Sequence, residues 1–184
     1  MKEEISEDVY LRVTTPLARY SNYSNIPLHI LENAADRGTR VHQYCELYAS
    51  NMLFEEIDED CSQYVNAFKI WFDENVIEVI SLEKRLYCHD IKLQGQSDMI
   101  ARVKDMSDIT LIDIKTSLNY SKSWNLQTAA YQYLCSVNDI DITDRLVLQL
   151  KKDATFKTYL FSASEYEFDR GIYFSILKAH RYFS

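Results

Sequence analysis

The residues with most chemical potential sit inside stretches that otherwise read as buried strand. In Leu111-Ile112-Asp113-Ile114-Lys115-Thr116-Ser117, an acid and a base stand two apart among apolar neighbours. Strand side chains alternate, so Asp113 and Lys115 share one face while Ile112 and Ile114 point to the other. Burying such groups is costly unless they pair or something binds them. An internal salt bridge and a ligand site both satisfy that pattern. Asp98 has a similar setting in Gln94-Gly95-Gln96-Ser97-Asp98-Met99-Ile100, where the glycine marks a bulge or a close approach by a ligand or another backbone. If the two strands form a hairpin, Asp98 and Asp113 converge. Converging carboxylates repel, and a hard divalent cation with oxygen ligands relieves the repulsion.

Further groups are candidates for the same place. Glu83, flanked by Leu82 and Leu86, can add a third carboxylate or orient water; paired with Lys84 or Arg85, it is an edge-strand charge instead. His42 follows Gly38-Thr39-Arg40-Val41 and can complete a metal site with its imidazole, although a lone histidine is also an ordinary packed side chain. Glu46 lies one turn later on the same helical face. Gln127 and Tyr131 are spaced i, i+4 and share a face, with Trp124 nearby. They either pack as part of an amphipathic helix or hold a phosphate-bearing strand beside the metal.

These residues need a scaffold, and the periodicities supply one. A helix is predicted from Pro27 to about Ser50, broken near Gly38, with Val41, Cys45 and Tyr48 on one stripe of its second part. Another is predicted from about Asp60 to Glu74. Strands follow at Val79 to His89, Ile91 to Lys104 and Ile109 to Thr116. Ser121 or Ser123 caps a helix running to about Val137. Arg145 to Lys151 and Phe156 to Phe161 form a strand pair. Ser164 with Glu167 reads as the capping box of a last helix to about Tyr182. The order gives an α/β fold with a central mixed β-sheet flanked by helices.

Composition narrows the class. The 184 residues are 47% hydrophobic, with three Gly and two Pro, enough apolar material for one compact domain. The net charge is −8, and residues 1–75, with 6 Lys/Arg against 14 Asp/Glu, carry all of it. Residues 76–184 are neutral and would become effectively basic once a metal offsets their site acids. The run Glu55, Glu56, Asp58, Glu59, Asp60 reads as a solvated loop, with repulsion or mimicry of nucleic acid as the lesser alternative. No apolar run reaches membrane-span length, Met1-Lys2-Glu3-Glu4 begins no signal-peptide apolar region, and Cys45, Cys61, Cys88 and Cys135 show no CxxC spacing. A cytoplasmic protein with reduced thiols and no membrane partner is expected.

In this order the pieces resemble the PD-(D/E)XK nuclease superfamily, particularly its RecB-type and phage exonuclease branches. The matching residues are Gly38-Thr39-Arg40-Val41-His42, Glu83, Gly95-Gln96-Ser97-Asp98, Asp113-Ile114-Lys115-Thr116 and Gln127-Thr128-Ala129-Ala130-Tyr131. They span roughly residues 27–180, in a single domain with an acidic helical part (about 1–75) and a catalytic core (about 76–184). The resemblance implies a restriction-endonuclease-like core that hydrolyses DNA phosphodiesters with Mg2+ or Mn2+, with exonuclease action in recombination, repair or phage replication. It implies metal ligation by His42, Asp98, Asp113 and the main-chain carbonyl of Ile114. Lys115 would position or deprotonate the attacking water, and Glu83 would contact the metal or its water. Gln127 and Tyr131 match the QxxxY motif, which supports the site and the DNA backbone. DNA is the implied partner, and a single-strand annealing or other recombination protein is compatible. Ser97 stands where relatives place proline or glycine, and iron–sulfur cysteines and helicase motifs are missing. The rival expectations are a catalytically inactive nucleic-acid-binding module on the same fold, and a protein-interaction or inhibitor domain using the acidic first third.

Overall fold

The computed structural model describes residues 10–20, 26–53 and 56–184; Glu55 and the Met1–Glu4 segment lie outside them. The elements are β1 (Leu11–Arg12), α1 (Leu28–Ala49), α2 (Glu59–Asn75), β2 (Val76–Cys88), β3 (Leu93–Val103), β4 (Ile109–Lys115), α3 (Ser123–Ser136), β5 (Asp144–Leu150), β6 (Phe156–Phe161) and α4 (Ala163–Phe183), with a short 3-10 turn at Ala18–Tyr20. One mixed sheet runs β1-β3-β4-β5-β6, with β2 also paired to β3. The β2–β3, β3–β4 and β5–β6 pairs are antiparallel. The β4–β5 and β1–β3 pairs are parallel, and α3 makes the crossover between β4 and β5.

Helices cover both faces. Val41, Cys45, Val65, Phe68 and Trp71 of α1 and α2 pack on Met99, Ala101, Ile112, Ile114, Leu146 and Leu148. Ala130, Leu134, Tyr173 and Leu177 of α3 and α4 pack on Leu86, Leu93, Ile100 and Leu111. Each large apolar side chain so buried stabilises by roughly 1.5–3 kcal/mol relative to exposure. Strand β5 is buried at all seven positions, including Arg145, which meets Asp169 of α4 at 2.9 Å in the interior. All four cysteines are buried and free. Among the described residues, no helix is long and apolar enough to cross a membrane.

Two local expectations are corrected. The first helix is unbroken: α1 runs through Gly38, whose missing side chain serves proximity, since a Cβ there would lie 3.3 Å from Thr116 Oγ1 at the end of β4. The capping box of α4 uses Ser162 and Glu165, the Glu165 carboxylate accepting the Ser162 N–H at 2.9 Å. The sequence holds two overlapping boxes, and the earlier one wins because Ser162 directly follows the last residue of β6; Glu167 pairs with Arg170 instead. Side-chain alternation is also interrupted in β3. Met99, Ala101 and Val103 face α1 and α2, whereas Leu93 and Gly95 face the α3 side. All five are odd-numbered, so the faces of β3 exchange between Gly95 and Met99. Strand β2 exchanges with it, Leu82 lying on the first core and Leu86 in the second. Between them stands Glu83, at φ 44, a left-handed conformation that costs a non-glycine residue about 1 kcal/mol or more.

Candidate metal centre

The exchange of faces sits beside a divergence of strands. The β3–β4 ladder ends at Met99↔Ile112, so Asp98 and Asp113 occupy the first position beyond it. There the Ile114 N–H donates to Asp98 Oδ2 at 2.6 Å, a side chain taking the place of a ladder acceptor. On the other edge of β3, Glu83 lies between the pairs Leu82↔Met99 and Lys84↔Ser97, opposite Asp98. Its left-handed backbone puts the carboxylate out of ordinary alternation, where Gln96 Nε2 donates to it at 2.7 Å.

From above, α1 delivers His42, whose Nδ1 is 3.3 Å from Asp98 Oδ1. Imidazole, Glu83 and Asp98 each offer a ligand atom, and these atoms lie within 4.8 Å of one another. Two carboxylates and one nitrogen suit a hard divalent cation.

Asp113 and Lys115 form a second layer on β4. Lys115 Nζ contacts Asp113 Oδ2 at 2.8 Å and donates to Gln127 Oε1 at 3.1 Å. Gln127 Nε2 in turn donates to Asp113 Oδ1 at 3.1 Å and to the Tyr131 hydroxyl at 3.2 Å. Tyr131 anchors this network by packing against β3: a Cβ at Gly95 would meet its ring at 2.6 Å. The glycine therefore marks a close approach, with no positive φ and no bulge in the pairing at that residue.

Charge follows geometry. Burial works against ionised Asp98, but the charge and hydrogen bond of His42, then Lys115 and the Ile114 N–H, hold its pKa below the usual carboxylate range. Burial and the charge of Asp98 raise Asp113, Lys115 offsetting only part. Burial, reinforced by Asp98, pushes Glu83 up to about 7. For His42, burial disfavours the imidazolium, yet the neighbouring Asp98 outweighs it and lifts the pKa to about 8. Burial also raises the Tyr131 phenol, with Asp113 and Asp98 adding to it, so it stays a neutral partner of Gln127.

A cleft of about 1000 Å³ opens over these groups, lined by His42, Glu46, Glu83, Asp98, Ile114, Lys115 and Gln127, with Ser117, Ser123 and Trp124 also on its lining.

The fold has a solved counterpart. It is similar to a candidate exonuclease from Eubacterium rectale, with a TM-score of 0.56 at 11% identity over 97% of this chain and 85% of that one. At that identity the likeness concerns the fold alone, a mixed α/β core. SSO0001 superposes more loosely, with a TM-score of 0.43 at 15% identity over 91% of this chain and 80% of that one. No family model matches the sequence, and no curated protein matches it.

Of the site candidates, His42, Glu46, Glu83, Asp98, Ile114, Lys115, Trp124 and Gln127 line one cleft, and Asp113 and Tyr131 belong to its supporting network. His42, Asp98 and Glu83 form the inner group; Asp113 is engaged by Lys115 and Gln127 rather than turned into that group. Gln127 and Tyr131 are buried; Gln127 organises Asp113, Lys115 and Tyr131 and also lines the cleft. Glu46 lines the cleft, as its spacing from His42 predicts. Gln96, which holds Glu83, was within a quoted motif but had no role there; a hydrogen bond across two strands leaves no periodic trace. Two residues of the acidic run, Asp58 and Asp60, belong to a clamp: Arg40 contacts Asp58 at 2.6 Å and Asp60 at 2.9 Å, tying α2 to α1. Carboxylates neutralised that way are poor mimics of nucleic acid.

Proposed function

We propose that this chain is a metal-dependent deoxyribonuclease that hydrolyses DNA phosphodiester bonds, acting as an exonuclease with magnesium or manganese. The observation that carries the reading is the His42–Glu83–Asp98 group set beside a lysine fixed by Asp113 and Gln127, at the floor of an open cleft. The nuclease-like core supports it.

The donor set fits a divalent ion. His42 and Asp98 would hold it with Glu83, and Asp113 and the Ile114 carbonyl would be its further ligands. When bound, the ion supplies Lewis-acid polarisation of the phosphate and a lowered pKa for the attacking water. The rest falls to the chain. Lys115 places a positive charge where negative charge builds on the phosphoryl oxygens, and its two partners keep it there without reorganisation during reaction. Glu83, held by Gln96, orients the water and accepts its proton. Gln127 keeps Asp113 and Lys115 in register, and Tyr131 seats α3 on Gly95. His42 must surrender its proton to bind the ion, so ligation and proton release are linked.

The two parts of the chain, about 1–75 and 76–184, act as one domain in this reading, because the first supplies His42 and the second the other groups. DNA recombination, repair or phage replication is the setting, with DNA as partner and an annealing or other recombination protein beside it. The test is incubation with end-labelled linear, circular and single-stranded DNA, in manganese or in chelator. Stepwise shortening of strands with free ends, single-stranded DNA included, is expected in manganese only, with circles left intact. Degradation undiminished in chelator, or undiminished in Asp98→Ala and Lys115→Ala proteins, overturns the assignment.

A further inference from the structure

Next to the cleft, against its Trp124, stands an aromatic group that the proposed chemistry does not use. Tyr120, in the β4–α3 connection, is 42% exposed, yet its ring is held on several sides. Tyr159 of β6 stacks on it at 4.9 Å with an interplanar angle of 29°, and Trp124 meets it edge-on at 5.2 Å. Its hydroxyl donates to Asn125 Oδ1 at 2.6 Å. The Asn125 carbonyl accepts from Arg145 Nη1 at 3.0 Å, and Arg145 is locked by Asp169. An exposed ring is thus tied to the buried ion pair of the interior.

This fixed ring is continuous with the site. The Trp124 indole that supports Tyr120 also lines the cleft containing Asp98 and Lys115. Positive charge lies alongside, with Lys157 Nζ 4.7 Å from the Tyr159 ring centroid and Lys122 exposed at the start of α3. Aromatic rings beside cations are what an unpaired strand needs: bases stack on the rings, and phosphates meet the ammonium groups. A base inside a duplex has both faces covered and gains nothing from such a ring. A side chain ordered beforehand binds without a further entropic cost.

We propose that Tyr120 is a stacking platform for an unpaired base of the strand entering the cleft, so that the substrate class is single-stranded DNA or a frayed end. The proposal rests on the nuclease reading for its substrate, but its test is separate. Binding of a fluorescein-labelled 12-mer oligothymidylate and of a 12-base-pair duplex is measured by anisotropy in calcium. The wild-type protein should prefer the single strand. Tyr120→Ala should weaken oligothymidylate binding about tenfold, within the range base–aromatic stacking supplies, and leave duplex binding within about twofold. Tyr120→Trp should bind like wild type. Tyr120→Leu, which keeps the bulk against Trp124 and Tyr159 without a π-face, should behave like Tyr120→Ala and separates stacking from loop collapse. An abasic residue at one position of the oligonucleotide should cost the wild-type protein the same factor and cost Tyr120→Ala nothing more. Equal losses on both substrates, wild-type affinity in Tyr120→Leu, or no single-strand binding by the wild-type protein would each overturn the platform. Tyr120-dependent binding without cleavage in manganese would instead overturn the nuclease reading alone.

Discussion

Arg40 and His42 are two residues apart on α1, and each meets carboxylates brought by other elements. Around Arg40 stand Asp36, Asp58 and Asp60; around His42 stand Asp98 and Glu83. Counted by ligand atoms, Asp58, Asp60 and Cys61 are as capable of holding a cation as the His42 group. The physical settings differ. Side chains of Asp58 and Asp60 are about half exposed, at 47% and 52%, and a permanently charged guanidinium already lies between them. Asp98 is 13% exposed and sits opposite a second carboxylate, with an imidazole whose charge depends on pH. One group is a finished ion pair, while the other is held in balance by a titratable partner that a metal can replace.

The largest effect expected breaks that contrast. Asp98→Asn keeps shape and removes charge, and should lower manganese-dependent cleavage on the order of 1000-fold while the protein stays folded. The double substitution Asp58→Asn, Asp60→Asn should leave cleavage within about twofold, as loss of an exposed ion pair does elsewhere. Turnover of labelled DNA and manganese titration by calorimetry read both. Comparable losses in the two proteins would make the Arg40 group part of the site and end the distinction.

Next comes the lysine. Lys115→Met should reduce kcat about 100- to 1000-fold, the scale of losing one preorganised charge at a developing anion, with manganese affinity retained or improved. A loss confined to KM would mean that Lys115 only gathers DNA. The same comparison of clusters explains why α3 matters: Lys115 keeps its place through Gln127 and Tyr131, and Tyr131 needs the bare backbone at Gly95. Gly95→Ala should cost about 1–3 kcal/mol by overpacking and lower activity with it. Gly38→Ala should be close to neutral, its 3.3 Å contact set against the helical advantage of alanine, about 1 kcal/mol. Thermal melts separate the two.

Much of this was legible in the sequence because it is periodic. Apolar alternation with two charged residues of β4 on one face predicts the Asp113–Lys115 contact, and the hairpin brings Asp98 to the same end. What was hidden does not depend on spacing. Glu83 reaches the site through a left-handed backbone and an exchange of faces shared by β2 and β3, and no residue pattern announces either. Tyr120 and Tyr159 stack across 39 positions of chain, two among 14 tyrosines. Arg40 belongs to a motif quoted for function, yet its observed work is structural. Gly38 reads in the sequence as a helix break, whereas the helix runs through it and its bare Cα lets α1 approach the end of β4.

The smallest effect sharpens the comparison through pH. In the metal-free protein, His42 is raised to about 8 and Glu83 to about 7. A group whose folded pKa exceeds its unfolded value stabilises fully below the unfolded value, and that contribution fades as pH rises through the folded one. Both groups therefore act in the same direction, and stability should fall between about pH 5 and 8, His42 accounting for about 2 kcal/mol before coupling to its neighbours is considered. Asp98, held low, opposes this only in acid, below the ordinary carboxylate range. Manganese needs the deprotonated forms, so its stabilisation should grow over the same interval and flatten the profile. Arg40 and Asp60 stay charged throughout and contribute no slope there. Melts at pH 5, 6.5 and 8, in chelator and in manganese, read the difference directly. A metal-free profile that is flat or rises toward pH 8 would show that His42 and Glu83 are not held in the balance that sets them apart from the Arg40 cluster.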